Sequence, residues 1–249
     1  MVINQFHSIG DILFIEPILR HYWKLNGDKP ILPVRDHLMY LQNYIESARL
    51  VPMSQFVLDY ESMETTNPDY LPLRFANQIL RNKDKDDHSD YKNCMPDKYN
   101  LCGLNPDMWM NLDVKFNEGK GNALFNQLGL KDGEEYILVN EHSQAGRVEI
   151  KLNPNCRVLY MESIPGYSVI DWWYVILNAK ENHHVSTCTF YLFQAIANKF
   201  NFKSKVFIYP RPDESGIKGV LKLNTGFKVK FRKINSQENE NEKQENSSQ

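Results

Sequence analysis

Short apolar runs alternate with longer amphipathic stretches along most of the 249-residue chain, and this alternation limits the fold more than any single motif. A strand followed by a helix and a second strand returns parallel to the first, so a βα series implies parallel sheets covered by helices. Residues 2–6 predict the first strand, and the loop His7-Ser8-Ile9-Gly10 follows it. Ile12, Ile15, Leu19 and Tyr22/Trp23 then recur at helical spacing. Pro17 either kinks that helix or marks its regular start after an initial turn, because proline is favoured only in a first turn. Residues 29–34 predict a second strand. Asp36 predicts a cap for a helix carrying Leu38, Leu41, Tyr44, Ile45 and Ala48, and a third strand falls near residues 55–60.

Residues 61–116 lack a clear period and hold the polar run Lys83-Asp84-Lys85-Asp86-Asp87-His88, flanked by short, aromatic-rich pieces of helical character. Residues 117–130 predict a helix closed by Gly129, or by Gly133 in the following turn. A second βα series begins at Glu134, with strands at 136–140 and 157–161 and a helix at 169–179 bearing Trp172 and Trp173. A short strand then ends at 183–186, a helix carries Phe190, Phe193, Ile196 and Phe200, and residues 205–209 form a last central strand. The series divides near residue 133. It predicts an α/β fold of two Rossmann-like domains, 1–133 and 134–235. The tail, 236–249, has no apolar residue and is expected to be disordered.

With 42% hydrophobic residues the chain can bury a substantial core, while its 24% charged residues nearly cancel to a formal charge of -2. No basic excess points to nucleic acid or an anionic membrane, so small molecules or another protein are the expected partners. The N-terminus lacks the basic region and cleavage site of a signal peptide, and no apolar run is long enough to span a bilayer. Cys94, Cys102, Cys156 and Cys188 are dispersed, which fits free thiols in the cytoplasm; spacing alone leaves a Cys94–Cys102 bridge open.

Three loops fall at the carboxyl ends of expected strands, where open α/β sheets bind ligands. The first is His7-Ser8-Ile9-Gly10-Asp11. Gly10 permits close backbone approach, the next helix offers free N–H groups, and Asp11 is a candidate general base. The same residues also suit an ordinary turn and helix cap. The second is Ser186-Thr187-Cys188-Thr189, whose hydroxyls and helix N-terminus suit a phosphate or diphosphate, or equally a simple cap. His183 and His184 precede it on a strand and point to opposite faces, so they would not chelate one metal together. The third runs from Glu141 to Arg147, where His142, Ser143 and Arg147 suit phosphate or sugar, or form a solvated connection. Asp84-x-Asp86 matches the DxD pattern of metal-dependent sugar transfer but lies in a charged run, where a solvated loop is the better reading. No metal cluster, glycine-rich dinucleotide fingerprint or phosphate-binding P-loop is present. The tryptophan pair reads as core.

The segment Ser8-Ile9-Gly10-Asp11-Ile12-Leu13-Phe14-Ile15-Glu16-Pro17-Ile18-Leu19-Arg20 resembles the opening of the heptosyltransferase-like, family 9 glycosyltransferases of GT-B architecture. That opening is a strand, a Gly-Asp loop, and a helix containing proline and arginine. Val185-Ser186-Thr187-Cys188-Thr189-Phe190-Tyr191-Leu192 resembles the family's late Asp-Thr-Gly-x-x-His-Leu segment, which grips the donor's diphosphate. Thr187 and Leu192 match, whereas Ser186, Cys188 and Tyr191 stand at the Asp, Gly and His positions. These departures weaken the case for an ADP-heptose donor. The strand ending at Asn140 lies where the family's second domain begins, with Ser143 and Arg147 standing in for a serine and a lysine.

The resemblance implies a GT-B-like fold whose two domains, acceptor side first and donor side second, face a central cleft. It implies inverting, metal-independent transfer from a nucleotide-diphosphate sugar to an acceptor hydroxyl on a glycan or other molecule, with no cofactor. Asp11 would be the catalytic base. Ser8, Gly10, His142, Ser143, Arg147, Ser186, Thr187 and Thr189 would line the donor site. Two other readings stand beside it. One is a catalytically degenerate GT-B protein that binds nucleotide sugar or a protein partner. The other is an unrelated doubly wound enzyme, linked to NAD or flavin, which would show a single sheet through both halves.

Overall fold

The computed structural model describes residues 1–5, 8–55, 62–84, 94–212, 220–221 and 223–232. The first half holds β1 (Val2–Ile3), α1 (Ile9–Phe14), α2 (Glu16–Asn26), β2 (Ile31–Val34), β3 (Arg49–Pro52), β4 (Tyr70–Leu71), α3 (Ala76–Leu80) and α4 (Cys94–Leu101). After α5 (Glu118–Gln127), the second half holds β5 (Tyr136–Asn140), β6 (His142–Ser143), β7 (Gly146–Arg147), β8 (Arg157–Tyr160), α6 (Trp173–Asn178), β9 (Glu181–Val185), α7 (Thr189–Lys199), β10 (Lys205–Tyr209) and β11 (Val229–Phe231).

The strands form two separate parallel sheets, in the orders β3-β2-β1-β4 and β11-β10-β9-β5-β8, while β6 and β7 make a small antiparallel hairpin. Among the described residues no strand joins the two larger sheets, unlike the single sheet of an unrelated doubly wound enzyme. Register follows the sequence closely in the second sheet, where His183 of β9 lies between Val139 and Phe207. One contiguous core runs through both halves, from Ile3 to Phe227, and a smaller cluster around Val139 and Val185 lies under residues 148–152.

Several local expectations change. The first helix breaks at Ile15, and Pro17 sits in the first turn of α2, where its missing N–H costs no hydrogen bond. Asp36 caps nothing; its carboxylate accepts from the Ser54 N–H and hydroxyl, and residues Asp36–Asn43 wind as a 3₁₀ helix. The third strand is Arg49–Pro52, upstream of its expected place; Gln55 ends a 3₁₀ turn, and 56–60 fall outside the described residues. Helix 169–179 divides into a 3₁₀ turn, Val169–Trp172, and α6, entered through a capping box between Ser168 and Asp171. Four strands were not expected from the sequence: β4, inside the aperiodic 61–116 stretch, β6 and β7, inside the 141–147 loop, and β11 at the edge of the second sheet. Asp86, most of the charged run and the 236–249 tail lie outside the described residues. No helix among the described residues is long and apolar enough to cross a membrane.

Candidate active site

A cavity of about 680 Å³ opens between the carboxyl ends of the two sheets. Its first wall comes from the start of α1 (Ser8, Gly10 and Asp11), with His37 and Tyr40 beside it and Cys94 at the start of α4. Its second wall comes from the loops after β5, β8 and β9, including Asn140, His142, Glu162, Ser186, Thr187 and Thr189. Two of the three loops singled out from the sequence thus meet across one space, and the third contributes only its first part.

Asp11 serves two purposes. Ser8 caps α1, its hydroxyl accepting from the Asp11 N–H at 3.3 Å and donating to Asp11 Oδ2 at 2.8 Å. The other oxygen, Oδ1, pairs at 3.4 Å with the ammonium of Lys98, a buried side chain on α4 that also donates to Gln5 Oε1 at 2.6 Å. The Asp11 side chain remains 26% exposed and lines the cavity. An ion-paired carboxylate that reaches solvent can accept a proton from a bound hydroxyl.

Gly10 has a packing role. A Cβ there would stand 3.2 Å from the Tyr191 ring and 3.4 Å from the Cys188 Cα, so the glycine lets α1 approach the start of α7. The Ser186–Thr189 loop is held from both flanks. The Ser186 N–H donates to the Tyr209 carbonyl at 2.8 Å, and Asn140 Nδ2 donates to Thr187 Oγ1 at 3.4 Å. The Thr187 and Thr189 hydroxyls lie 3.0 Å apart at the N-terminal end of α7, an anion-favouring position.

Burial pushes the Cys188 thiol up to about 11 and the Tyr40 phenol up to about 12, and it raises the Tyr191 phenol well above its ordinary value. These groups stay protonated near neutrality and can donate hydrogen bonds but not act as bases.

Ser143 and Arg147 are not among the residues that line the cavity. The Ser143 hydroxyl donates to the Gly146 carbonyl at 2.9 Å and closes the β6–β7 hairpin. Arg147 grips the buried Glu141 at 2.6 and 2.8 Å, and Glu141 also accepts from the Ile150 N–H. That guanidinium therefore neutralises an internal carboxylate. His7 lies outside the described residues. His183 and His184 do point to opposite faces: His183 reaches Tyr209 and Glu181, while His184 packs on Phe193.

Two cations of the site are not among the candidate residues that the sequence pattern singles out. Lys98 sits in the aperiodic stretch and meets Asp11 only through the fold. Arg211 lines the cavity at the end of β10 and donates from Nε to the Ser186 carbonyl at 2.7 Å. The strand-end rule that marked the other loops also applies to the Pro210-Arg211-Pro212 turn and would have found it. Among the described residues none of the four cysteines is in a disulfide, and no group of three His, Cys, Asp or Glu able to hold a metal forms.

Among solved structures, the chain is similar to a family 9 glycosyl transferase from Veillonella parvula DSM 2008, with a TM-score of 0.49 and 10% identity over 93% of this chain and 85% of that one. It is also similar to the E. coli ADP-heptose lps heptosyltransferase II, with a TM-score of 0.46 and 12% identity over 93% of this chain and 89% of that one. No family model and no curated protein sequence matches the chain.

Proposed function

We propose that the protein is a glycosyltransferase of GT-B type that moves a sugar from a nucleotide-diphosphate donor to an acceptor hydroxyl, with inversion and without a metal. The observation that carries this reading is the meeting of Asp11 with the Ser186–Thr189 loop across one cavity between two parallel sheets. In this reading residues 1–133 form the acceptor side and 134–235 the donor side. The acceptor oxygen attacks the anomeric carbon while its proton passes to Asp11. The bond from that carbon to the phosphate oxygen breaks, and the diphosphate leaves with the electron pair. Helix N–H groups and the Thr187 and Thr189 hydroxyls meet the growing charge. Ser8 and Gly10 shape the mouth, and His142 and Ser186 border the donor. Four cysteines outside any disulfide fit a reducing cytoplasm.

A second reading, binding of nucleotide sugar without turnover, is favoured by one observation: both Asp11 oxygens already have partners, Ser8 and Lys98. Asp11→Asn separates the two. Incubated with a panel of nucleotide sugars and candidate acceptors, the wild-type protein is expected to release nucleoside diphosphate. The variant should do so about 10²–10⁴-fold more slowly, the usual contribution of a general base. Thermal shifts with nucleotides should persist, since a ligand at one hundred times its dissociation constant adds about 2.7 kcal/mol. Equal release by the variant would remove Asp11 from the chemistry. Binding with no release by the wild type would favour the second reading.

A further inference from the structure

Arg211 is the only arginine or lysine among the described residues that line the cavity. Its backbone is held between Pro210 and Pro212, which fix their own φ and bias Arg211 toward extended geometry. Its Nε is occupied by the Ser186 carbonyl at 2.7 Å, which fixes the plane of the guanidinium beside the Ser/Thr loop. Among the described residues no carboxylate pairs with it, in contrast to Arg147, which Glu141 neutralises. Its charge counters the burial of the Cys188 thiol and the Tyr191 phenol, and Asp11 acts on the same Tyr191 phenol with the opposite sign. Asp11 and Arg211 both line the cavity, one anionic and one cationic, and both act on Tyr191, which lines it too. Leaving a guanidinium half-buried without a counter-charge is costly unless a ligand supplies one.

We propose that Arg211 is the donor-binding cation of this cavity. The Nη groups left free by the Ser186 tether pair with the diphosphate of the nucleotide sugar, and hold the nucleoside diphosphate after the glycosyl bond breaks. The assignment rests on the donor-site reading above and adds a residue to it. An arginine fork suits two phosphate oxygens at once, and a lysine keeps the charge but loses that paired geometry.

The test uses the full chain and equilibrium binding of ADP, UDP, GDP and CDP, of their nucleosides, and of inorganic pyrophosphate. The wild-type protein should bind at least one diphosphate more tightly than the matching nucleoside. Arg211→Gln should weaken that diphosphate roughly 10- to 100-fold, as expected for lost charge-assisted hydrogen bonds, and leave the nucleoside unchanged. Arg211→Lys should fall between them, and it carries the test if the Gln variant fails to fold. Unchanged diphosphate affinity in a folded Arg211 variant overturns the assignment and leaves the donor site standing. If no diphosphate and no pyrophosphate binds the wild-type protein, the donor reading falls and Arg211 with it.

Discussion

His184 is completely buried, and neither ring nitrogen finds a hydrogen-bond partner among the described residues. Burial, reinforced by His183, lowers its imidazole to about 3. The unfolded chain takes up this proton near pH 6.5, while the folded chain refuses it until about pH 3, so the associated stability is present above 6.5 and lost as pH falls through this window. Between pH 7 and 4.5 the loss amounts to about 2–3 kcal/mol. His184→Leu should remove that part of the acid sensitivity, and it should be neutral or stabilising at pH 7 because it deletes unpaired polar atoms at similar volume. Urea unfolding at the two pH values measures this; an equally steep fall in both proteins would contradict it. The same residue shows what single-residue reading can and cannot reach. Alternation along β9 places His183 and His184 on opposite faces from sequence alone. That one face supplies Tyr209 and Glu181 as hydrogen-bond partners and the other packs Phe193 on the ring without one depends on neighbours that no local pattern encodes. Asp11 was legible as a strand-end carboxylate in the same way, whereas its partner Lys98 was not.

At the scale of elements, legibility follows burial on both faces. β5 and β10 each hold an unbroken apolar run, 136–139 and 206–209, with one polar residue beyond it at a single end, and the apolar surface of α7 marks its span. The pieces missed are short and held by distant contacts. β4 is two residues long and exists because Val2 and Ile3 pair with it. α4 carries its buried Asp97 and Lys98 toward Asn77 and Gln5, polar pairs that an apolar period cannot register. α5 supplies a prediction of sign. Gly→Ala inside a helix ordinarily stabilises by about 0.5–1 kcal/mol. At Gly121 the added Cβ would stand 2.4 Å from Trp173 Nε1 and 2.8 Å from Cε2 of that ring. Trp173 is buried and packs against both Phe116 and Phe200 with centroids at 5.2 and 5.0 Å, so it has little room to yield. Gly121→Ala should therefore destabilise by about 1–3 kcal/mol, as overpacking does. Gly119→Ala, two residues earlier on the same helix, meets only Asn117 Oδ1 at 3.4 Å and should be neutral or mildly stabilising. Chemical denaturation of the pair checks both signs; a stabilised Gly121→Ala would show that the ring moves aside.

For the whole molecule, the question is whether two sheets behave as two folding units. The sequence shows a division near residue 133 but not the ties across it, because each tie joins residues with no local relation. Residues 110–113 run between the halves. Glu16 accepts from the Asp113 N–H at 2.9 Å, and Arg20 donates to the Asn111 carbonyl. From the other side Asn198 donates to the Met110 and Leu112 carbonyls at 2.7 and 2.8 Å, and Lys199 pairs with Asp113. Arg20, which belongs to the family resemblance, and its neighbour Glu16 therefore fasten α2 to the strap that α7 grips. Trp109 lies between Phe14 and Phe190, one ring from each half, with centroids at 6.0 and 5.7 Å. Tyr44 donates to the fully buried Asp171 at 2.7 Å, beside the Ser168 that lines the cavity. A core shared this widely is expected to unfold in one transition, with far-ultraviolet dichroism and tryptophan fluorescence coincident in urea. Tyr44→Phe strips one donor from a buried carboxylate and should lower that single transition by about 1.5–3 kcal/mol. Two resolved transitions in the wild-type protein would mean that the halves fold separately. The cavity would then sit between units that are each stable alone, whereas a single transition makes an intact cavity a condition of either half being folded.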